Sequence, residues 1–368
     1  MSQQNDSAAS PAMSSTTSFS SFELVPPAWL PAGSAPAPRV YNPAIVKYRD
    51  RLLMAYRVDS GRRRAAQRQI GLCELDDQLS IVPGSIVNVS DSIHGGSPRH
   101  YDPRFLVYRE RLYIHYNNNV QTHPNRIYLV ELDADTLEAR SPPLPVLLQG
   151  PRQDIEKNWM FFEHDGDLHA VYWIAPHTIL RVRLDADQAV ECHTVHTTAW
   201  DVSVYADRYG APRGGTPPSR QGDLYVSFFH SRRPVGRLHR MLRYWPVPPG
   251  TRLPRYAAAI ERRLRRPFNQ VRYAAGAYAF EASPPFRPVW LHPTPVLRPE
   301  DEAPRQRRMR ANPSADGIVY PCGAIPWHDR SWLVSYGLHD ETCCLRSVHL
   351  PSLPNPATQQ VAQIGHRW

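Results

Sequence analysis

The sequence predicts an all-β protein, a five-bladed β-propeller, and three observations lead to this fold class. A hairpin pattern, with a polar start, a tight turn and an alternating aromatic and aliphatic strand, recurs five times in 368 residues. The first four turns lie roughly sixty residues apart and the fifth follows after about twice that interval, the scale of a four-stranded blade with its loops. Thirty-eight prolines, many in pairs, exclude long helices and mark loops and strand edges.

Each hairpin is identified by its turn and by the strand that follows it. In chain order they are Arg49-Asp50-Arg51 before LLMAYR, Arg109-Glu110-Arg111 before LYIHYN, Asp165-Gly166-Asp167 before LHAVYW, Gln221-Gly222-Asp223 before LYVSFF, and His328-Asp329-Arg330 before SWLVSYG. Alternating segments at 69–75, 126–133, 178–185, 242–247 and 344–350 are expected to form the next strand of each blade.

The first strands of the five hairpins begin with polar residues. In a propeller these starts lie at one end of a central channel, where repeated units expose a shared binding surface. We therefore expect convergence on one funnel of Asn42, Asp102, Glu156 with Lys157, Thr216 and Cys322. The alternative is that these residues only close turns.

Two regions are expected to depart from the repeat. Residues 1–37 are rich in Ser, Ala and Thr and are interpreted as a disordered tail, which leaves 38–368 as the propeller domain. Apolar residues at helical spacing in Arg255–Arg266 predict a short helix inserted beside the fourth blade. The segment 283–317, rich in proline and charge, is interpreted as a long connection to the last blade.

Composition excludes several classes of protein. The chain has no apolar run of the length that a membrane span requires. Its five cysteines lack the spacing of a disulfide framework or a zinc site, so a cytoplasmic location is expected, with secretion directed by the tail as the alternative. The net charge of +9 comes mainly from arginine clusters, which attract anions generally. No nucleic-acid-binding motif accompanies these clusters, so a phosphate or nucleotide-sugar ligand is favoured over nucleic acid.

Several motifs, taken in order, resemble glycoside hydrolase family 130. They are YDPR at Tyr101–Arg104, RGGTPP at Arg213–Pro218 followed by FFHS with His230, YPCGAI at Tyr320–Ile325, and SYGLHDE at Ser335–Glu341. The family consists of five-bladed propellers that act on β-mannosides, mostly by phosphorolysis and in some members by hydrolysis. The resemblance spans Tyr41 to Leu350 and implies that Asp102 is the proton donor, that His230 contacts phosphate and that Asp340 contacts the sugar.

Two features depart from the family pattern. The family's phosphorylases usually carry a phosphate-binding arginine at the end of the third hairpin, where this chain has Tyr172-Trp173. The EKNW motif at Glu156–Trp159 also puts a carboxylate beside the lysine. Hydrolysis and glycosyl transfer therefore stay open, the latter because mannosyltransferases that build β-1,2-linked mannans on a similar propeller also exist.

Inverting cleavage of a glycoside requires an acid for the leaving oxygen and a nucleophile on the opposite face. Asp102 is predicted to be the acid, directly or by relaying its proton through a sugar hydroxyl, and Glu156 is predicted to be the base. The alternatives are a turn residue paired with Arg104 for Asp102, and a sugar contact or a salt bridge for Glu156.

The remaining predicted site residues bind substrate. They are Asn42, Arg57, Arg104, Lys157, Asn158, Trp159, Arg213, Gly215, Thr216, His230, Tyr336 and Asp340. Lys157, Arg213 and His230 are the expected anion contacts. One or two of Trp159, Trp173, Tyr116 and Tyr336 are expected to stack on a sugar.

The sequence leaves three functions open. The first is an enzyme that cleaves or transfers β-mannosyl units, acting on a mannose-containing oligosaccharide or a sugar donor. It requires no metal or cofactor, with inorganic phosphate as an alternative co-substrate. The second is a glycan-binding propeller without catalysis, and the third, disfavoured, is a nucleic-acid-binding protein. The sequence makes no prediction about oligomeric state.

Overall fold

The computed structural model describes residues 16–30, 37–61, 67–119, 124–153, 155–184, 189–234, 271–301 and 317–354. This part of the chain is mostly β, as the sequence predicts. It begins with strand β1 (Thr16–Phe19), helix α1 (Ser21–Leu24) and a 3-10 turn at Pro27–Trp29. The later helices are also short, α2 at Val89–Ser92 with four residues and α3 at Ser203–Tyr209 with seven. None of the helices in these ranges is long and apolar enough to cross a membrane.

The strands form five consecutive antiparallel units. Unit one contains β2 (Arg39–Tyr48), β3 (Arg51–Ser60), β4 (Gln67–Leu75) and β5 (Val87–Asn88). Unit two contains β6 (Tyr101–Tyr108), β7 (Arg111–Asn117), β8 (Ile127–Leu132) and β9 (Leu144–Leu148). Unit three contains β10 (Met160–His164), β11 (Asp167–Trp173), β12 (His177–Arg183) and β13 (Val190–Thr198).

Unit four contains β14 (Pro212–Arg213), β15 (Ser219–Gln221), β16 (Leu224–Pro234), β17 (Val271–Glu281) and β18 (Pro288–Leu291). Unit five contains β19 (Val319–Pro326), β20 (Ser331–Leu338) and β21 (Thr342–His349). Its fourth strand is β1, which pairs antiparallel with β21. The outer strands β9 and β13 pair in parallel and join units two and three into one eight-stranded sheet.

The hydrophobic core is divided among the junctions between units. Five clusters of buried side chains lie between units one and two, two and three, three and four, four and five, and five and one. Each sheet therefore buries both faces, one against the preceding unit and one against the next. This explains why residues on both faces of the second strands, such as LLMAY in β3, are apolar and buried.

The prediction of a disordered tail over 1–37 is wrong for residues 16–30. Phe19 is 4% exposed and packs with Leu24 and Val25 between units one and five. The Tyr56 hydroxyl also donates to the carbonyl oxygen of Leu24 at 2.6 Å. The polar composition of residues 1–37 gave no sign of β1. This single strand is ordered because it pairs with the edge of a sheet formed by the rest of the chain.

The five predicted hairpins are present, with differences around unit four. The predicted strand at 242–247 and the predicted helix at Arg255–Arg266 lie outside the described residues. The strand that pairs with β16 is β17, whose sequence VRYAAGAYAFE has too many small residues to signal a strand. Within the predicted connection 283–317, β18 forms the edge of the same sheet.

Candidate active site

A two-residue bulge interrupts the first strand of units one, two and five at the same place. In unit one Tyr41 pairs with Arg57 and Ala44 with Ala55. In unit two Tyr101 pairs with Asn117 and Arg104 with His115. Tyr320 with Gly337, and Gly323 with Ser335, repeat this spacing in unit five. Each bulge leaves two residues opposite one, which bends the strand and re-aims the first bulged side chain.

The residue types at the bulges explain why the chain bends there. Asn42 and Asp102 have φ of 55° and 52°, in the left-handed region that Asn and Asp tolerate better than most residues. Pro43 and Pro103 follow them, at positions where the unpaired strand needs no N–H donor. Asn158, with φ of 65°, stands just before β10. The polar-Pro dipeptides of the sequence are therefore bulges within strands and not turn starters.

Asp102 is the centre of the candidate site. Its carboxylate accepts a hydrogen bond from Asn42 Nδ2 at 2.8 Å and an ion pair from Arg57 Nη1 at 3.1 Å. Burial alone would raise the pKa of Asp102, but Arg57, the Asn42 hydrogen bond, Arg104 and Lys157 outweigh it and lower that pKa below its usual value. Asp102 is therefore ionised at neutral pH.

A second carboxylate fixes Arg57 in place. Asp59 accepts Arg57 Nε at 2.8 Å and Nη2 at 3.0 Å, and it also accepts the Tyr41 hydroxyl at 2.8 Å. The guanidinium lies between two aromatic rings, 4.6 Å from the Tyr41 centroid and 4.1 Å from that of Tyr101. Because Asp59 is only 3% exposed and bidentate, Arg57 can present its remaining N–H group to Asp102 without changing rotamer.

Asp340 follows β20, with φ of 55°, and lies within electrostatic range of Arg57 and Asp102. Burial raises the pKa of Asp340 to about 6, and the charges of Asp102 and Asp59 add to the rise while Arg57 opposes it. Asp102 and Asp340, which both feel the charge of Arg57, thus differ in protonation. Asp102 is ionised, and Asp340 keeps its proton up to about pH 6.

Positive charge also gathers near Asp102. Burial lowers the pKa of Lys157, Asp102 opposes the change, and Arg213, Arg232 and Arg104 lower it further. Arg213 and Arg232 belong to the same sheet and are exposed. Lys157, Arg213 and Arg232 are therefore close enough to repel one another, an arrangement that a bound anion would relieve. We call these three residues the cationic cluster.

His230 is buried beside the cationic cluster. Its Nδ1 donates to the carbonyl oxygen of Gly214 at 2.9 Å, and its ring stacks on Tyr273 at 5.5 Å. Burial, Lys157 and Arg104 hold the pKa of His230 well below its usual value. The ring is therefore neutral, and its Nε2 is an acceptor that needs a proton before it can donate to an anion.

Arg104 joins three units behind the site. It is 2% exposed, and its Nε donates to the carbonyl oxygen of Gly215 at 2.6 Å. Its Nη2 donates to the Tyr320 hydroxyl at 3.1 Å, which in turn donates to Asn158 Oδ1. Arg104 therefore connects the inner strands of units two, four and five through hydrogen bonds. Its positive charge also lowers the pKa of Asp102.

Glu156 does not reach Asp102 or the cationic cluster. Its carboxylate accepts hydrogen bonds from Trp159 Nε1 at 3.1 Å, from the Tyr172 hydroxyl at 3.2 Å and from Gln153 N at 2.8 Å. It is 5% exposed. This position does not support the prediction that Glu156 is the base, because both oxygens are already used inside unit three.

Three other predicted substrate contacts also lie in the interior. Trp159 and Tyr336 are 1% and 0% exposed and pack in the clusters between units. Thr216 is 0% exposed, and its Oγ1 accepts the Phe228 N–H at 2.9 Å. Cys322, expected in the funnel, is 0% exposed. The side chains of these four residues are therefore covered by other parts of the protein.

Sequence reasoning missed four residues of the site. Asp59 and Tyr320 anchor the predicted residues, Arg232 completes the cationic cluster, and Tyr273 stacks on His230. Only Asp59 carried a local signal, because it stands two positions after Arg57 and so faces the same side of the strand. Tyr273 is on β17, which was not predicted at all.

The chain was compared with known proteins. Neither a protein-family model nor a curated protein sequence matches it. A solved structure described as showing that the GH130 family of mannoside phosphorylases contains glycoside hydrolases that target β-1,2 mannosidic linkages in Candida mannan has a TM-score of 0.57 and 14% identity. That likeness covers 94% of this chain and 97% of the other.

Two further structures illustrate the range of activities on this fold. A β-1,2-mannobiose phosphorylase from Listeria innocua, bound to β-1,2-mannobiose, has a TM-score of 0.54 at 13% identity, covering 95% and 99% of the two chains. A GDP-Man-dependent mannosyltransferase from Leishmania mexicana has a TM-score of 0.55 at 11% identity, covering 85% and 86%. At these identities the likeness shows the fold, and it confirms the resemblance of fold that the motifs indicated.

Proposed function

We propose that this chain is a carbohydrate-active enzyme that cleaves or transfers β-mannosyl units with inversion, with Asp102 as the group that moves the proton. We further propose that its five units are the blades of a five-bladed propeller. The closed series of five apolar clusters supports the propeller, since each cluster joins consecutive units and the last joins the fifth to the first. The three solved structures described above support a mannosyl unit as the substrate.

The observation that carries the proposal is the distribution of charged groups around Asp102. An ionised carboxylate, Asp102, contacts Asn42 and Arg57 and lies within electrostatic range of both Asp340 and Lys157 of the cationic cluster. Inverting chemistry at an anomeric carbon needs a proton-transferring group on one side and the entering or leaving nucleophile on the other. An anionic nucleophile or leaving group is stabilised where cations are already fixed.

The proton can move in either direction. In cleavage, the protonated Asp102 donates to the leaving glycosidic oxygen while the anion forms its bond to the anomeric carbon. In synthesis, the ionised Asp102 accepts the proton of an acceptor hydroxyl while the bond to the anion breaks. The lowered pKa of Asp102 favours its ionised form, which is the form that synthesis requires.

A product screen tests this proposal. The native protein is incubated with β-linked mannobioses and with mannosyl-glucose, with and without phosphate, and with mannose nucleotide donors plus a sugar acceptor. We expect turnover in at least one arm, and we expect Asp102→Asn to lower it at least about 100-fold. Asn keeps the left-handed backbone, so the fold should be retained.

Asp50→Asn is the matched control, because Asp50 is exposed in the turn of the first hairpin. It should leave turnover unchanged. Unchanged turnover in Asp102→Asn would contradict the role of Asp102. Mannoside binding without any product would instead identify a glycan-binding propeller, and the absence of both binding and product would contradict the proposal as a whole.

A further inference from the structure

We infer that the anion at this site is the diphosphate of a nucleotide sugar and that the nucleobase stacks on Trp173. This inference rests on the proposed function and specifies its donor. Three features of Trp173 support it. They are its position in the strand register that the units share, the exposure of its ring, and the positive charges near it.

The bulge register identifies one equivalent position on the second strand of each unit. It is the partner of the residue before the bulge, namely Arg57 in unit one, Asn117 in unit two and Gly337 in unit five. In unit four, where residues 214–218 lie opposite 227–229, the corresponding pair is Arg213 and His230. In unit three the described pairing begins with Met160 opposite Val171, so the two-residue bulge of the other units would fall at Asn158, whose φ is positive, and Trp159. Counting back across them sets Lys157 opposite Trp173.

Residues at this position extend toward the next unit. Arg57 lies 4.1 Å from the Tyr101 ring, and His230 lies 4.7 Å from the Tyr320 ring. Tyr101 and Tyr320 are the residues immediately before the bulges of units two and five. The same relation directs Trp173 toward Arg213, the corresponding residue of unit four. The two strand starts also abut, because a Cβ on Gly214 would lie 1.9 Å from the carbonyl oxygen of Asn158.

Trp173 is the exposed member of the aromatic candidates. Its side chain is 39% exposed, whereas Trp159, Tyr116 and Tyr336 are at most 1% exposed. The ring rests edge-on against Tyr172 at 5.8 Å. Tyr172 is held by Glu156 and by Trp159, whose ring is 5.3 Å away. Glu156 therefore supports a fixed aromatic surface at the rim of the site.

The ligand must satisfy both the cationic cluster and this ring. The face of an indole is electronegative and offers no attraction to a free phosphate ion. It stacks well on a planar base, a contact worth about 1–3 kcal/mol in single-stranded nucleic-acid complexes. The exposed Arg213 and Arg232 extend the positive charge outward from Lys157, so the cluster suits a diphosphate better than a single buried phosphate.

Because the reaction proceeds with inversion, the Trp173 ring contacts the sugar donor and not the acceptor. The acceptor hydroxyl must lie on the Asp102 side of the anomeric carbon, and the leaving diphosphate must lie on the cationic side. In the transfer step the C1–O bond to the acceptor forms and the C1–O bond to the diphosphate breaks. The acceptor proton goes to Asp102, and the electron pair leaves with the diphosphate, whose nucleoside then reaches Trp173.

Calorimetric titration of the full chain with guanosine diphosphate, uridine diphosphate, pyrophosphate and inorganic phosphate tests the inference. Pyrophosphate carries the same charged group without a base. We expect at least one of the two nucleotides to bind about tenfold or more tighter than pyrophosphate. Trp173→Ala should remove this difference, Trp173→Phe should keep part of it, and Arg213→Ala should weaken nucleotide and pyrophosphate alike.

Phe22→Ala is the matched control, because Phe22 is an aromatic side chain 89% exposed and lies in α1. It should change no affinity. Equal affinities for both nucleotides and pyrophosphate in the native protein, or a preference that survives in Trp173→Ala, would overturn the inference. If the product screen gives phosphate-dependent mannoside cleavage under those conditions, the proposed function stands and only the donor class is wrong.

Discussion

Replacing Asp340 by asparagine should make the protein more stable at neutral pH, because the carboxyl group is costly to ionise where it lies. Its pKa rises from the ordinary 3.8 to about 6. The unfolded chain releases this proton at lower pH than the folded protein does, so the folded state loses stability as pH rises between these two values. At about 1.4 kcal/mol for each pH unit, the loss amounts to roughly 3 kcal/mol above pH 6.

Asparagine suits this position because it matches the protonated carboxyl in shape and tolerates the φ of 55°. The assay is urea unfolding of the native protein and of Asp340→Asn across this pH range. We expect the variant to be more stable by about 1–3 kcal/mol near pH 8 and equally stable near pH 4. Asp50→Asn should show no such pH dependence.

Two results would refute the reasoning. One is a variant no more stable than the native protein near pH 8, and the other is a stability difference that does not change with pH. The first would mean that ionised Asp340 is compensated by partners such as Arg57 more fully than burial penalises it. The second would mean that the substitution acts through packing and not through charge.

Three further substitutions test the described contacts. Glu156→Gln should cost about 1–3 kcal/mol of stability without changing the pH profile of turnover, whereas a base would lose most turnover. Gly214→Ala should lower the melting temperature by several degrees, on the order of a 1–3 kcal/mol loss, because its Cβ would collide with Asn158. Phe19→Ala should cost about 3–5 kcal/mol in urea unfolding, against no change for Phe22→Ala, and an equal effect of the two would contradict the buried role of β1.

The hairpins were predictable because their signals are local. Turn residues, alternation of polar and apolar side chains, and Asn or Asp before Pro each act within about ten residues of chain. The bulge residues Asn42 and Asp102 were accordingly identified. The third unit shows the limit of this reasoning, since Asn158 and not Glu156 takes the left-handed conformation there.

The sequence by itself determined the strands of the five hairpins, the repeated polar starts and the positive charge of this chain. Only the tertiary structure decided which of those side chains meet, because the partners come from other units. Arg104 binds Gly215 across 111 positions, and Tyr320 binds Asn158 across 162. Exposure was decided in the same way. Trp159 and Tyr336 are covered by neighbouring units while Trp173 is not, and no periodicity along the chain encodes what a distant strand will cover.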